Sequence, residues 1–293
     1  MSSIDSKTSI LVTGAQGQLG QRLLERASTQ GDLKATGVDR DEMDICDLVQ
    51  IEAKLDQVSP DVVINAAAFT AVDLAETHAE QAHLVNAVGV GNLAAACASR
   101  GISMIHMSTD YVFDGNVTHP LNVEDPVGPL SVYGESKLKG EEAFTNSGVQ
   151  GAVIRVAWLY DATGQNFVST MLKLADQHGS LKVVDDQHGV PTSAVLLAEG
   201  LLDMATLKDQ MPSGIWHYAH GGHTTWHGFA QEIMRLAERD VPVLPVDSKA
   251  FPTAAKRPSW SVLNGLPLHE RMQWNQVTWQ EALQRTWRLK SDG

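Results

Sequence analysis

A tyrosine and a lysine lie four residues apart in the segment Tyr133-Gly134-Glu135-Ser136-Lys137. On a helix this spacing places both side chains on one face, within reach of a shared ligand. Surface pairs of this kind also occur without a function. As a functional pair, they predict that Tyr133 donates a proton to a carbonyl oxygen during reduction by a nicotinamide coenzyme. The ammonium of Lys137 would lower the pKa of the phenol, which is roughly 10 in water, and would also bind the nicotinamide ribose.

A hydroxyl group is predicted to lie near that tyrosine. Ser108-Thr109-Asp110 follows an apolar run that reads as the fourth strand of a sheet. Parallel α/β sheets bind their ligands at the carboxyl ends of the strands. Thr109 is therefore expected to hold the carbonyl oxygen in line with Tyr133.

A glycine-rich turn follows the first predicted strand, and a helical pattern begins directly after it. Gly14, Gly17 and Gly20 fall within the segment TGAQGQLG. A dinucleotide pyrophosphate needs a close approach to the backbone and a helix N-terminus with free N–H groups. The G-x-x-G-x-x-G spacing departs from the common G-x-G-x-x-G template, and an ordinary strand-to-helix turn is the alternative. The surrounding strand and helix favour nucleotide binding.

Two acids are predicted to face the adenosine half of that nucleotide. Asp39 ends the second strand and would accept hydrogen bonds from the ribose hydroxyls. Its neighbour Arg40 can instead pair with a 2′-phosphate, so the choice between NADH and NADPH stays open. Asp44-Ile45 is expected beside the adenine, with an exposed loop acid as the alternative reading of Asp44.

Small residues follow the third predicted strand. After Asn65 comes the run Ala66-Ala67-Ala68. Side chains of this size would let a nucleotide lie against the backbone, whereas a short alanine helix is the alternative. Because Asn65 closes a strand, we expect a loop at this point.

Alternating apolar runs and amphipathic stretches indicate βαβ units stacked into a parallel sheet. Strands are predicted at Ser9–Thr13, Leu33–Val38, Asp61–Asn65, Ile102–Met107 and Gly151–Val156. Helices are predicted between them at Gln18–Gln30, Asp47–Val58, Glu76–Arg100 and Val132–Thr145.

Beyond residue 156 the alternation becomes irregular. Helices are predicted at Asn166–His178, Ser193–Leu207, Trp226–Arg239 and Trp279–Arg288, and a proline-rich extended segment at Val241–Pro267. The fold class is therefore α/β, a Rossmann-type doubly wound parallel sheet with a smaller, discontinuous C-terminal substrate-binding region. We assign residues 1–156 to the NAD(P)-binding domain and 157–293 mainly to the substrate-binding region, with some segments returning to the sheet.

Composition narrows the classes of function. The chain of 293 residues has a net charge of −13, with 22 basic and 35 acidic residues, and lacks a dense basic stripe, which argues against nucleic-acid binding. Cys46 and Cys97 are too few and too far apart for a disulfide framework. With no secretory or membrane-spanning pattern, we expect a cytoplasmic protein without a membrane partner. The oligomeric state stays open, with a homodimer and an interfacial divalent ion among the candidates.

Taken together, the glycine turn, Asn65–Ala68, Thr109 and the Tyr133/Lys137 pair resemble the extended short-chain dehydrogenase/reductase superfamily. More narrowly, the chain resembles the dTDP-4-dehydrorhamnose reductase family. The resemblance covers most of the chain and is carried by TGAQGQLG, NAAAFTAVD, STDYVFDG, YGESK, RVAWLY, DQHGVPT and RPSWSVL.

This resemblance implies a reaction and a set of site residues. The family delivers a hydride from NADPH or NADH to the C4 ketone of a dTDP-linked 6-deoxy-hexulose, giving dTDP-L-rhamnose for cell-surface polysaccharide. It implies that Tyr133 is the proton donor with Lys137 and Thr109 as catalytic partners, and that Thr109, Asp110 and Trp158 contact the sugar. Arg257 is a further candidate, for the diphosphate. The residues implied for the coenzyme are Gly14, Gly17, Gln18, Leu19, Asp39, Asp44, Ile45, Ala66, Ala67, Ala68, Tyr133 and Lys137.

Two other functions are compatible with the same motifs. A nucleotide-sugar epimerase or dehydratase would keep NAD bound and consume none, but dehydratases carry an acid after Thr-Asp, where this chain has Tyr111. A non-catalytic subunit similar to the regulatory subunit of methionine adenosyltransferase would show no turnover and would co-purify with a synthetase. The sequence also leaves open dTDP against UDP and the stereochemistry at C4.

Histidines cluster around a Gly-Gly turn at residues 217–227 and raise the question of a metal site. His223 and His227 have helical spacing, but no glutamate follows the first of them. We predict no metal there.

Overall fold

The computed structural model describes residues 7–291. Strands and helices alternate through the first half of this range, and shorter elements follow. The strands are β1 (Thr8–Thr13), β2 (Leu33–Val38), β3 (Val62–Asn65), β4 (Ser103–Thr109), β5 (Gly151–Val156), β6 (Leu159–Tyr160), β7 (Leu181–Val184), β8 (His188–Gly189), β9 (Thr192–Ser193), β10 (Gly214–His217), β11 (Thr224–Thr225) and β12 (Val243–Val246). The helices are α1 (Gln18–Ser28), α2 (Leu48–Val58), α3 (Val72–Ala75), α4 (Ala79–His83), α5 (Val90–Arg100), α6 (Val132–Asn146), α7 (Phe167–Gln177), α8 (Ala194–Thr206), α9 (Trp226–Leu236), α10 (Leu266–Arg271) and α11 (Trp279–Ser291).

Six strands form one parallel sheet in the order β10-β5-β4-β3-β1-β2. The chain starts at β1, runs to one edge at β2 and crosses back through β3, β4 and β5. This reversal of direction beside β1 creates the crevice in which doubly wound folds bind ligands. The predicted fold class and all five predicted N-terminal strands are confirmed, with ends shifted by at most two residues.

Both faces of the sheet are covered, because successive residues of a strand point to opposite sides. Ile10 and Val12 of β1 belong to the core beneath α1 and α8. Leu11, between them, belongs to the core beneath α2 and α5. All three residues are fully buried. This burial explains why the strands read as continuous apolar runs.

The predicted helix Glu76–Arg100 is wrong in its details. The chain forms the short helix α3, then α4, a π-helical turn at Leu84–Gly89, and α5. Within the π turn, the buried Asn86 side chain accepts from the Phe69 backbone N (2.8 Å) and donates to the Phe69 carbonyl (3.0 Å). The wider turn thus lets one side chain hold the loop after β3, a requirement that helical periodicity does not reveal.

Residues 79–100 form a helical run long and apolar enough to cross a bilayer, judged by length and composition alone. Buried helices of α/β domains pass the same test. Here the α5 part packs its buried side chains against the sheet and α2, as members of one core.

The C-terminal region has a core of its own. Three two-stranded sheets, β7 with β12, β8 with β11, and β6 with β9, surround α7, α9 and α11. The proline-rich segment is mostly extended, as predicted, but Val243–Val246 pairs with β7 and Leu266–Arg271 forms a helix. Strand β10 leaves this region and joins the edge of the main sheet beside β5.

Candidate active site

A cavity of about 830 Å³ lies where the carboxyl ends of the main strands meet the C-terminal region. Residues that end strands β1, β4 and β5, or directly follow β2 and β3, contribute to its wall. The site residues predicted from the sequence that line it are Gly14, Gly17, Gln18, Leu19, Asp39, Asp44, Ile45, Ala66, Ala67, Ala68, Thr109, Asp110, Tyr133, Lys137 and Trp158. Residues more than a hundred positions apart in the sequence therefore line the same cavity.

The glycine turn brings the backbone of two loops into contact. Gly14 has φ +67°, and a Cβ there would lie 2.8 Å from the Ala67 backbone N. A Cβ at Gly20 would overlap the Gly14 carbonyl oxygen. Helix α1 begins after Gly17 with no side-chain cap. Its first N–H groups are thus available to an anion at the mouth of the turn.

Asp39 is tied to this turn. Its Oδ2 accepts a hydrogen bond from the Gln16 backbone N at 2.7 Å. Arg40 is 76% exposed, and its Nε lies 3.2 Å from Asp44 Oδ2. The backbone N–H of Cys46 is the main cause that lowers the pKa of Asp44, and Arg40 contributes to the same effect. Asp39, the acid predicted to bind a ribose, is thus held at the cavity wall. Arg40, the cation predicted to pair with a 2′-phosphate, instead pairs with the Asp44 carboxylate.

The segment after β3 is a loop, as expected, since residues 66–71 form no helix or strand. Asn65 is fully buried and organises its start. The Oδ1 atom accepts from Thr13 Oγ1 (2.6 Å) and the Ala67 backbone N (3.2 Å), while Nδ2 lies 3.1 Å from His106 Nδ1. These contacts hold the alanine run against the glycine turn.

Helix α6 presents the tyrosine and the lysine to the same cavity. The Ser131 hydroxyl caps its N-terminus by accepting from the Gly134 backbone N at 3.2 Å. Lys137 is 2% exposed, and its Nζ donates to the Met107 carbonyl at 2.6 Å. Burial lowers the pKa of Lys137 to about 8, against the opposing charge of Glu141.

The pKa of Tyr133 differs from the sequence prediction. Burial raises it to about 12; a hydrogen bond with Thr109 acts to lower it, and the charge of Asp110 acts to raise it further. The lowering expected from Lys137 is not among the causes of this shift, and the ammonium is engaged with the Met107 carbonyl. Tyr133 is consequently protonated at neutral pH, the state that a proton donor requires.

Thr109 and Asp110 form a short polar chain beside the tyrosine. Thr109 Oγ1 donates to Asp110 Oδ1 at 3.0 Å and accepts from the Tyr111 backbone N at 3.2 Å. Asp110 is 2% exposed, and within the described residues its Oδ2 lacks a close hydrogen-bond partner. Burial raises the pKa of Asp110 to about 6, with Ser261 and Thr109 opposing the shift. This unpaired oxygen is buried, and Asp110 lines the cavity.

Replacing Asp110 with asparagine is expected to change how stability depends on pH. The pKa of this carboxyl rises from 3.8 in the unfolded chain to about 6 in the folded protein. Its charge therefore does not destabilise the folded state below pH 3.8 and destabilises it fully above pH 6. The unfolding free energy of the variant minus that of wild type should therefore be about 2–3 kcal/mol larger at pH 8 than at pH 4. Urea unfolding at both values measures this difference. An equal offset at the two pH values would contradict the prediction.

Two tryptophans, Trp158 and Trp226, form another part of the cavity wall. Trp158 has φ +48°, and its indole stacks on that of Trp226 with ring centroids 3.6 Å apart and an interplanar angle of 10°. Trp226 begins α9 and its Nε1 donates to Gln187 Oε1 at 3.2 Å. Positive φ is uncommon for a bulky residue and marks a position that the surrounding packing enforces.

Arg257 lies outside the cavity wall. Its Nη2 and Nη1 pair with the Oδ2 and Oδ1 atoms of Asp73 at 2.8 and 3.2 Å, and Nη1 also donates to the Ala255 carbonyl. Tyr111, which does line the cavity, lies close enough to Arg257 to raise its pKa further. The guanidinium predicted for a diphosphate is therefore occupied by contacts within the protein.

Sequence reasoning missed several residues of the wall, among them Phe69, Tyr111 and Trp226. Tyr111 directly follows Thr109-Asp110 and could have been found from that position. Trp226 is brought to the site by α9, and no local pattern announces its contact with Trp158. No group of three or more metal-ligating side chains with suitable geometry occurs in residues 7–291.

The model of the family described as RmlD substrate binding domain matches residues 8–290. The chain belongs to this family. A dTDP-4-dehydrorhamnose reductase of Burkholderia thailandensis is 39% identical over 289 residues, covering 94% of this chain and 96% of the relative. Another, of Streptomyces griseus, is 41% identical over 258 residues, covering 87% and 84%.

Solved structures of RmlD-family members share the fold throughout. The dTDP-4-dehydrorhamnose reductase of Clostridium acetobutylicum aligns with a TM-score of 0.91 at 39% identity, covering 97% of this chain and 99% of the other. That of Bacillus anthracis, solved in complex with NADP, also aligns at 0.91, with 31% identity and the same coverage.

Proposed function

We propose that this protein is a dTDP-4-dehydrorhamnose reductase, which reduces the C4 ketone of dTDP-4-dehydro-L-rhamnose with NADPH or NADH to dTDP-L-rhamnose for cell-surface polysaccharide synthesis. The proposal is carried by one observation: a protonated tyrosine, a threonine hydroxyl and a buried lysine share a cavity with an uncapped glycine-rich helix start. Its RmlD-family relatives carry this reductase name.

The residues present fit a nicotinamide dinucleotide. Gly14 lets the turn pack directly on the backbone of Ala66 and Ala67, which line the same cavity, and α1 begins there without a side-chain cap. When bound, the coenzyme supplies the hydride. The residues that we propose hold it are Gly14, Gly17, Gln18, Leu19, Asp39, Asp44, Ile45, Ala66, Ala67, Ala68, Tyr133 and Lys137.

The proton of the reaction comes from the chain itself. Tyr133 donates its phenolic proton to the C4 oxygen as that oxygen gains negative charge. Thr109 hydrogen-bonds the same oxygen and holds it near the phenol. Lys137, buried and positively charged, stabilises the tyrosinate that remains until solvent returns a proton.

Three side chains are proposed to contact the sugar. Thr109 lies nearest the reacting ketone, Asp110 offers its free carboxylate oxygen to a ring hydroxyl, and Trp158 gives an apolar edge to the pyranose. Arg257 would reach a diphosphate only by leaving Asp73, so we propose instead that it supports the cavity wall through Tyr111.

The test of this function is direct. Purified protein is mixed with NADPH or NADH, and absorbance at 340 nm is followed after dTDP-4-dehydro-L-rhamnose is added. Oxidation of coenzyme that depends on the sugar supports the reductase. Bound NAD without net consumption would instead indicate an epimerase or dehydratase, and no turnover with a co-purifying synthetase would indicate a regulatory subunit.

We propose a cytoplasmic location for this activity, where reduced coenzymes and nucleotide sugars are available. The two cysteines, Cys46 and Cys97, are free thiols, in accord with a reducing compartment.

Coenzyme choice is expected to depend on Asp39. Its carboxylate accepts hydrogen bonds from the ribose 2′-hydroxyl of NADH and repels the 2′-phosphate of NADPH. Asp39→Ser should therefore raise the ratio of kcat/KM for NADPH to that for NADH by about 10- to 100-fold. Asp41→Ser, an exposed acid two residues away, removes the same charge outside the cavity and serves as the control. Equal ratios in the two variants would refute this role of Asp39.

A further inference from the structure

A buried ion pair lies beneath the catalytic helix. Glu141 and Arg155 are each 2% exposed. Glu141 Oε2 accepts from Arg155 Nη2 at 2.7 Å, and Oε1 accepts from Arg155 Nε at 2.9 Å. Oε1 also accepts from Ser108 Oγ at 2.5 Å. The carboxylate is therefore fully used inside the protein, and none of these three side chains is needed by the mechanism above.

The position of the pair relative to the site is specific. Glu141 follows Lys137 by one turn of α6, and Arg155 lies on β5. Two consecutive residues at the end of β4 are held from α6: the Met107 carbonyl accepts from Lys137 Nζ, and Ser108 donates to Glu141. Thr109 follows Ser108 directly, so the bond to Glu141 is the link nearest to Thr109 of the two that set this strand end against α6.

We infer that Glu141 is a positioning residue that keeps Lys137 positively charged in its buried site and fixes Thr109 relative to Tyr133, with Arg155 balancing the carboxylate. Its catalytic consequence rests on the proposed reductase function, whereas its effect on Lys137 does not.

The charges around Lys137 support this assignment. On its own helix, Glu141 is the anion whose charge raises the pKa of Lys137, while Tyr133 is neutral. On β4, His106 is fully buried with its pKa well below the ordinary value, so it is neutral. On β5, Arg155 is a cation, and behind it on β10 the pKa of His217 is lowered to about 3, so His217 is neutral as well.

Opposite responses are therefore expected from the two partners. Glu141→Gln removes the anion and leaves the Arg155 cation, so the titration midpoint of Lys137 should fall by about one pH unit or more. Arg155→Met leaves an unbalanced carboxylate, so the midpoint should rise. The double variant removes both charges, so its midpoint should lie between those of the two single variants.

The experiment measures Lys137 directly, without substrate. Protein labelled with 13C at lysine Cε is titrated by NMR as purified, and the Lys137 signal is assigned by its loss in Lys137→Arg. Single variants that move the midpoint in opposite directions, with the double variant between them, support the inference. Unchanged midpoints, or shifts of the same sign, would overturn it and leave a purely structural ion pair.

Two further variants keep the test decisive. If Glu141→Gln does not fold, Arg155→Met and the double variant carry the comparison, with thermal unfolding as the check on folding.

Ser108→Ala keeps both charges and removes only the hydrogen bond between Ser108 and Glu141. It should leave the Lys137 midpoint in place and lower kcat by about tenfold through misplacement of Thr109. If Ser108→Ala left kcat unchanged in an active enzyme, only the proposed positioning of Thr109 would be overturned. If the wild-type protein showed no turnover, the proposed reductase function would be refuted, and the NMR result on Lys137 would still stand.

Discussion

Replacing Tyr133 with phenylalanine is expected to lower kcat by about 10²- to 10⁴-fold, the contribution typical of a positioned general acid. The ring and its packing stay, and only the phenolic proton is lost. The neighbouring hydroxyl of Thr109 cannot replace it, because an aliphatic alcohol is a far weaker acid than a phenol. The rate is measured as oxidation of NADPH at 340 nm with saturating dTDP-4-dehydro-L-rhamnose.

A second phenol provides the control for this prediction. The ring of Tyr111 lies 5.6 Å from that of Tyr133 between centroids and lines the same cavity. Tyr111→Phe should lose less than about tenfold in kcat, because this phenol is not the proton donor. Coenzyme affinity, followed by NADPH fluorescence, should fall far less than kcat in Tyr133→Phe, because the other proposed coenzyme-binding residues remain. A larger loss at Tyr111 than at Tyr133 would transfer the proton-donor role to Tyr111.

Replacing Gly20 with alanine is expected to weaken coenzyme binding by about 10²-fold. A Cβ at Gly20 would overlap the Gly14 carbonyl oxygen and lie 2.7 Å from the Ala15 Cα. Both neighbours are backbone, so no side chain can rotate away and the turn itself must shift. The overlap should also lower the free energy of unfolding by about 1–3 kcal/mol. Isothermal titration with NADPH and urea unfolding measure the two effects.

Gly31→Ala is the matched control, because a Cβ at Gly31 meets nothing within 4 Å. Its coenzyme affinity should equal that of wild type. If Gly20→Ala bound NADPH as tightly as Gly31→Ala, the turn after β1 would not be the pyrophosphate site.

Local patterns in the sequence were sufficient for the parallel sheet and for placing the Tyr133/Lys137 pair. Strands β1, β3, β4 and β5 are buried on both faces, so each reads as an apolar run of strand length. Tyr133 and Lys137 lie one turn apart on α6, and helical spacing alone places them on one face. The glycine turn is equally local, because close backbone contact requires residues without a Cβ.

Contacts between distant segments required the folded chain. Arg257 reads as a free cation, yet Asp73, 184 residues away in the sequence, occupies it. Trp158 and Trp226 stack although 68 residues separate them, and the two-residue strands β6, β8, β9 and β11 are too short for a periodic signal. Such pairings depend on loop closure and packing, which residue spacing does not encode in readable form.

The sequence by itself determined which groups could do the chemistry: a phenol, an ammonium, a hydroxyl and a glycine turn at the ends of predicted strands. The tertiary structure decided their charge states. Sequence reasoning predicted a lowered pKa for Tyr133 from the nearby lysine, whereas burial raises it to about 12 and lowers that of Lys137 to about 8. Desolvation depends on everything packed around a group. Only the folded structure therefore shows whether burial or the charge of one neighbour decides the direction of the pKa shift.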